Sequence, residues 1–265
     1  MPDSYVPPAL FVTWQDPVSR SIFPVGRLVR IVAPRANYEF AYLQAARRAE
    51  EKGFVAFVAF PDLTEVYRSS ELPPFFRNRL MPRARAEYSA QLTAIGLDAS
   101  ASEEEVLART NGRRATDPYE LFSEFEPGSA HDEWETTFFA RSLRYLDFPQ
   151  AIDALTPGQQ LFCMRDMQNP VDPAAIALRN AKNAIVGYCP AYLVDDLAPL
   201  LADPGAVSVA VERVNAPPTP LQLRLQCHLQ VRMPAGFHGY RTGRFEPLAP
   251  GAIRLTHWVR RARVA

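Results

Sequence analysis

In the stretch "QNPVDPAAIAL", residues 168 to 178, Asp172 stands between two prolines and runs directly into an apolar segment. Asn169-Pro170 and Asp172-Pro173 are turn dipeptides, and an Asp in such a turn ordinarily bonds its own backbone. The alternative is that this carboxylate serves a ligand, and both readings stand on residue types alone. Other groups capable of chemistry are poorly placed for it. Cys163, Cys189 and Cys227 are isolated thiols without Cys-x-x-Cys spacing, and His131, His228, His238 and His257 do not complete a zinc pattern, so neither metal nor disulfide is expected. Asp195-Asp196 and Glu103-Glu104-Glu105 are adjacent acids that diverge around a helix, which suits solvated faces better than a catalytic carboxylate pair. His228 alternates with apolar residues in "LQCHLQV" and reads as an outward strand residue, while Cys163 and Cys189 read as small buried hydrophobes. No Gly-x-Ser-x-Gly elbow accompanies the serines, and no glycine-rich phosphate loop ends in Lys-Ser or Lys-Thr. Lys52 and Lys182 are the two lysines of the chain. The expectation is a protein that is not an enzyme and takes no cofactor.

The frame around these residues follows from composition and periodicity. With 265 residues, 48% of them apolar, the chain can bury a sizeable core without staples. Its 29 basic residues balance 29 acidic ones, so no global field draws it to nucleic acid and any such contact must be local. One local bias is the last stretch, "RLTHWVRRARVA", which carries arginines and no acid. The N-terminus "MPDSYVPPALF" lacks a basic region followed by an apolar one, and no run is long enough to span a bilayer, so a cytoplasmic location is the default.

"LFVTW" and "FPVGRLVRI" flank an Asp-Pro turn and predict a hairpin. "YEFAYLQAARRAEEKGF" predicts a strand-like triplet, then a helix with Gly53 as its C-cap. "VAFVAFPDL" reads as a short buried strand, and a helix is expected from about residue 83 to 95. Ser102 and Glu105 form a Ser-x-x-Glu start for a helix reaching Thr110. The small, polar "GSAHDEWETT" places a boundary near residues 127 to 134. Beyond it come short strands, a helix with Leu193, Leu197, Leu200 and Leu201 on one face, and the alternating strands "AVSVAVERVNA" and "LQLRLQCHLQVRM". Many short strands hide their edges most simply in a compact barrel.

"FFARSLRYL", then "LFCMRDMQNPVDPAAIAL", then "IVGYCPAYLVDDLAPLL" resembles the HIRAN domain over about residues 135 to 235. Its core is Asn169, Pro170, Asp172, Ala175 and Ile176, with Gly187 and Tyr188 downstream. The resemblance implies a barrel related to the OB class that holds the 3′ end of single-stranded DNA. It places the family's Arg-Tyr pair on Arg144 and Tyr145, a phosphate contact and a stacking ring, and the family's acid on Asp172. A carboxylate accepts from a free 3′-hydroxyl and repels a 3′-phosphate. Where the family often has an aromatic residue, Val171 precedes the acid, which removes a stacking platform worth about 1 to 3 kcal/mol per base. Tyr188 or Tyr192 either replaces that ring or is a half-buried tyrosine with a satisfied hydroxyl.

"FPVGRL", "YEFAYL", "FPDLTEVYRSSELPPFFRNRLMPRARAEY" and "LARTNGRRATDPYELFSEFEP" resemble the N-terminal subdomain of HipA-type kinases, with Phe76, Asn78, Leu80 and Pro82 as the closest points. The nucleotide-binding core of such a kinase does not follow, so the resemblance implies a contact surface for a kinase-, helicase- or nuclease-type protein and not a kinase. The expected fold class is α+β: a small α/β module at 8–126, a linker at 127–134, a mostly-β, OB-like barrel at 135–240 and a basic segment at 241–265.

Overall fold

The computed structural model describes residues 8–31, 38–130, 132–146, 150–233, 240 and 243–255. These form two compact units, neither continuous in sequence. The first takes the described residues of Met1–Ser89, Asp98–Glu126 and His238–Ala265, and the second those of Ala90–Leu97 and Pro127–Phe237.

In the first unit β1 (Leu10–Gln15), β2 (Ile22–Arg30), β3 (Tyr38–Tyr42), β4 (Val66–Ser69) and β5 (Tyr119–Ser123) form one antiparallel sheet in the order β4-β3-β2-β1-β5. The β1–β2 hairpin turns on Asp16, whose carboxylate accepts from the backbone N–H of Val18 (3.0 Å) and Ser19 (3.3 Å). Strand alternation then gives the sheet two apolar faces. Leu10, Val12, Trp14, Tyr38, Phe40 and Tyr42 point into one core. It is closed by Ala46 and Ala49 of α1 (Ala45–Glu50), Phe76 of α2 (Pro74–Arg77) and Leu107 of α4 (Glu103–Thr110), while α3 (Tyr88–Ala94) lies between the last two in sequence. α4 begins on the capping box read from Ser102 and Glu105.

The segment expected as a buried strand after Gly53 is an irregular loop with short turns instead. Phe54, Phe57, Phe60 and Leu63 are buried at three-residue intervals, whereas Val55 and Val58 face solvent, a spacing that no strand can provide. Their backbone is anchored by Tyr42, whose hydroxyl accepts from Phe57 N–H (2.7 Å) and donates to Phe60 C=O (2.8 Å). The expected helix at 83–95 is shorter, with α3 covering Tyr88–Ala94.

Phe11, Arg27, Glu39 and Ala41 point to the other face, which Tyr240 and residues 243–255 cover. Tyr240 and Phe245 lie 5.3 and 5.4 Å from the Phe11 ring, and Tyr240 stacks on Phe125 at 5.5 Å. Ala249 and Ala252 pack on Ala41. Ile253 is held by both backbone groups, its N–H donating to Glu39 Oε1 (2.6 Å) and its carbonyl accepting from the Arg27 guanidinium. The segment set apart from sequence as basic therefore contributes its described residues to this unit, because a sheet apolar on both faces needs two covers. His131, His238, His257 and residues 256–265, with the closing arginines, lie outside the described residues.

The second unit contains β6 (Glu126–Pro127), β7 (Glu133–Phe139), α5 (Gln150–Asp153), β8 (Gln160–Arg165), β9 (Ile176–Arg179), β10 (Ile185–Tyr188), α6 (Ala191–Leu200), β11 (Val207–Val214) and β12 (Leu225–Arg232). The strand order is β10-β9-β8-β11-β12-β7-β6. Tyr192, Leu193, Val194 and Leu197 are the buried residues of α6. Residues of α3 join this unit through Asn215 Nδ2, which donates to Ala94 C=O (2.7 Å), and Gln226 Nε2, which donates to Ile95 C=O (3.2 Å). The expected linker is partly a hairpin, with Gly128 N–H donating to Glu133 C=O (2.7 Å) between β6 and β7. The expected barrel is corrected: among the described residues no sheet closes. Arg141, just past β7, meets Tyr188 of β10 in a single bridge and not a ladder. Ser142 then takes a left-handed conformation (φ 62°) and the chain enters the 3₁₀ turn Leu143–Tyr145, which ends the pairing. Among the described residues no helix is long and apolar enough to cross a membrane.

The first unit also buries an ion pair. The Arg79 side chain, 2% exposed, meets Asp117 in a two-point fork (3.1 and 2.7 Å), donates to Gly112 C=O (2.8 Å) and lies 4.3 Å over the Phe75 ring. Removing one partner leaves an uncompensated buried charge, so Asp117→Ala should cost about 3 to 5 kcal/mol in chemical denaturation. Arg79→Met, which removes the buried cation itself, should cost less than Asp117→Ala; the reverse order would mean that packing on Phe75 outweighs the charge.

Candidate functional site

The loop from β8 to β9 is built from two proline turns in series. Asp166 N–H donates to Ala175 C=O (2.9 Å) and closes it. Asn169-Pro170 opens the first turn: Asn169 Oδ1 accepts from the N–H of Val171 (3.0 Å) and Asp172 (3.1 Å). Asp172-Pro173 opens the second, with Asp172 Oδ1 accepting from Ala174 N–H (2.9 Å) and Asp172 C=O from Ala175 N–H (3.0 Å). Asp or Asn at the first position and Pro at the second is what such turns prefer. The turn reading of Asp172 is thus realised, yet it occupies only Oδ1. Asp172 is half-buried, and among the described residues Oδ2 takes no hydrogen bond.

Asp166 was not singled out from sequence, and it organises the site. Its Oδ2 accepts from Asn169 Nδ2 (3.1 Å) and from the Tyr188 hydroxyl (3.0 Å), joining the loop to β10. The signal was present as Asp-x-x-Asn-Pro, a turn spacing that puts both side chains on the same side of the chain. Tyr188 is half-buried with a satisfied hydroxyl, and Tyr192 is buried. Val171 is 70% exposed at the loop tip.

Arg144 and Tyr145 lie on the 3₁₀ turn that follows β7. Tyr145 is 71% exposed, with the Arg144 guanidinium 4.7 Å over its ring. This turn is fixed against β10. Arg141 and Tyr188 exchange both backbone hydrogen bonds (2.8 and 3.1 Å), and Gly187, at φ 154°, lets Ala140 and Leu143 come so close that a Cβ would meet them at 2.8 and 3.1 Å. Tyr188 therefore sits between the two halves of the predicted set. Asn169, Val171, Asp172 and Tyr188 are brought together through Asp166, while Arg144 and Tyr145 approach from the other side of β10. Among the described residues no hydrogen bond, ion pair or ring contact joins these two to Asp172.

Two thiols isolated in sequence also meet in this unit. The Cys163 and Cys189 thiols hydrogen-bond, and that bond, then burial, pushes the Cys189 pKa up. Among the described residues no three His, Cys, Asp or Glu side chains are grouped to hold a metal. What the arrangement offers is an open carboxylate oxygen on a rigid loop, an exposed guanidinium and an exposed aromatic ring.

Residues 135–234 match the HIRAN domain family, and a HIRAN domain accordingly lies within the second unit. Comparison with curated proteins finds no match. Among solved structures, a Lactobacillus plantarum protein, northeast structural genomics consortium target LpR91B, is similar at 20% identity and a TM-score of 0.30, covering 37% of this chain and 96% of that one. The HIRAN domain of human HLTF is similar at 19% identity and a TM-score of 0.29, covering 37% of this chain and 74% of that one.

If Asp166 is the joint, its loss should exceed the loss of either donor. Asp166→Ala leaves two polar groups without their acceptor and should cost about 1 to 3 kcal/mol. Tyr188→Phe removes one donor and should cost about 0.5 to 1.5 kcal/mol. Equal costs in chemical denaturation would show that Asn169 does not depend on Asp166.

Proposed function

We propose that the second unit binds the 3′ end of single-stranded DNA, with Asp172 accepting from the terminal hydroxyl, Arg144 taking a phosphate and Tyr145 stacking on a base. The observation that carries this reading is the division of labour within the Asp172 carboxylate, in which Oδ1 secures the loop and Oδ2 remains open. Asp166 likewise engages one oxygen, its Oδ2 taking both internal donors, and it serves to anchor the loop to β10. The match of residues 135–234 to the HIRAN domain supports the same ligand. Few phosphates would be touched, so the salt dependence is shallow.

For the first unit, recruitment or restraint of a protein partner rests on the resemblance to the HipA-type subdomain. A second reading, an interaction or antitoxin-like subunit whose DNA pocket is vestigial, is favoured by one observation: the exposed tip residue is Val171, which offers no ring.

Fluorescence anisotropy with a ten-nucleotide single strand, 3′-hydroxyl against 3′-phosphate, separates the readings. Wild type should prefer the hydroxyl. Asp172→Asn keeps an oxygen for the Ala174 N–H but loses the charge, so the fold should survive while the preference falls by about tenfold or more, the scale of a hydrogen bond to a charged group. No binding of either strand at low salt sinks the DNA reading in favour of the interaction subunit.

A further inference from the structure

Strand register extends the candidate site across one face. Met164 on β8, Ala177 on β9 and Tyr188 on β10 stand side by side, with Ala177 fully buried as a floor between its larger neighbours. Two residues further from the loop, Phe162 pairs with Arg179. Asp166, four residues from Phe162 and on the same side of the strand, begins this row at the loop. Phe162 and Met164 are each 41% exposed, and they lie past Gln160 and Leu161, the residues at which β8 pairs with β11. The Arg179 guanidinium lies 5.1 Å from the Phe162 ring centroid and is tethered by Asn183 Oδ1.

We propose that this outer face of β8 and β9 is a stacking platform for the nucleotides that precede the 3′-terminal one, with Phe162 as base support and Arg179 as the phosphate contact. The proposal rests on the end-binding reading, since it begins where the end would be held. An aromatic face beside a cation is the pair that single-strand grooves use, and it tolerates any base. Four strand residues span about 13 Å, room for several bases at about 3.4 Å each when stacked. The strand would therefore leave Asp172 past Met164 toward Phe162. Phe162 also supplies, further along the same face, the ring that the loop tip lacks.

The test is competition by unlabelled oligothymidylates of two, four, six and ten nucleotides, all with free 3′-hydroxyls, against a labelled ten-mer bound to the full chain. Wild-type affinity should rise with length to a plateau. Phe162→Ala should reduce binding of the longer strands by about tenfold while leaving the dinucleotide unchanged, and Phe162→Tyr, which keeps a ring, should restore it. Arg179→Gln should lower the salt slope by about one for the ten-mer alone. If the dinucleotide binds and length adds nothing, or if the gain with length survives in Phe162→Ala, the platform is wrong and end reading stands. If wild type binds neither the dinucleotide nor the ten-mer, both fail together.

Discussion

The second unit depends on the carboxylate of Asp166. Prolines at 170 and 173 remove two donors from the β8–β9 loop, and each N–H that remains between them and Ala175 finds an acceptor within the loop. That local economy fixes the shape of the loop but not its place. Asp166 supplies the place, since one oxygen holds both Asn169, which shapes the first turn, and Tyr188, which belongs to a strand two positions away in the sheet. A rigid loop so anchored can present an acceptor without reorganising when a ligand arrives, which is the condition for discrimination at a single hydrogen bond.

The two units manage polar groups differently. In the second, the two loop carboxylates each engage one oxygen internally, Asp166 Oδ2 and Asp172 Oδ1. In the first, buried charges take specific partners: Arg79 with Asp117, and Arg27 and Glu39 with the C=O and N–H of Ile253. A buried ion pair such as Arg79 with Asp117 adds little net stability, because desolvation offsets its Coulombic gain. Arg27 and Glu39 hold Ile253 of the covering segment over the sheet.

Local patterns carried most of the legible structure. The β1–β2 hairpin, the Ser102 cap, the turns at Asn169 and Asp172 and the two short strands about Asn180 follow from residues close in sequence, whose hydrogen bonds are local. What misled were long-range effects. Phe57 and Phe60 look like strand residues, but their backbone partner is the Tyr42 hydroxyl. A barrel is the economical way to hide edges, yet a left-handed Ser142 ends the closing pair after one residue. Of the site, Asn169, Asp172 and Tyr188 were legible as types, but the acid joining them was not. Asp166 has nothing unusual about its neighbours until β10 is folded beside it.

The interleaved chain has a consequence for synthesis. The five strands of the first sheet are all translated before the main part of the second unit, which begins at Pro127, while the segment that covers their second face is translated after it. Throughout the making of the second unit, Phe11, Arg27 and Glu39 have no lid, and a nascent chain carries an apolar face with a buried-type arginine and glutamate still in water. Glu39 already has the Arg68 guanidinium of β4 at 2.8 Å, whereas Arg27 gains the Ile253 carbonyl when the covering segment arrives.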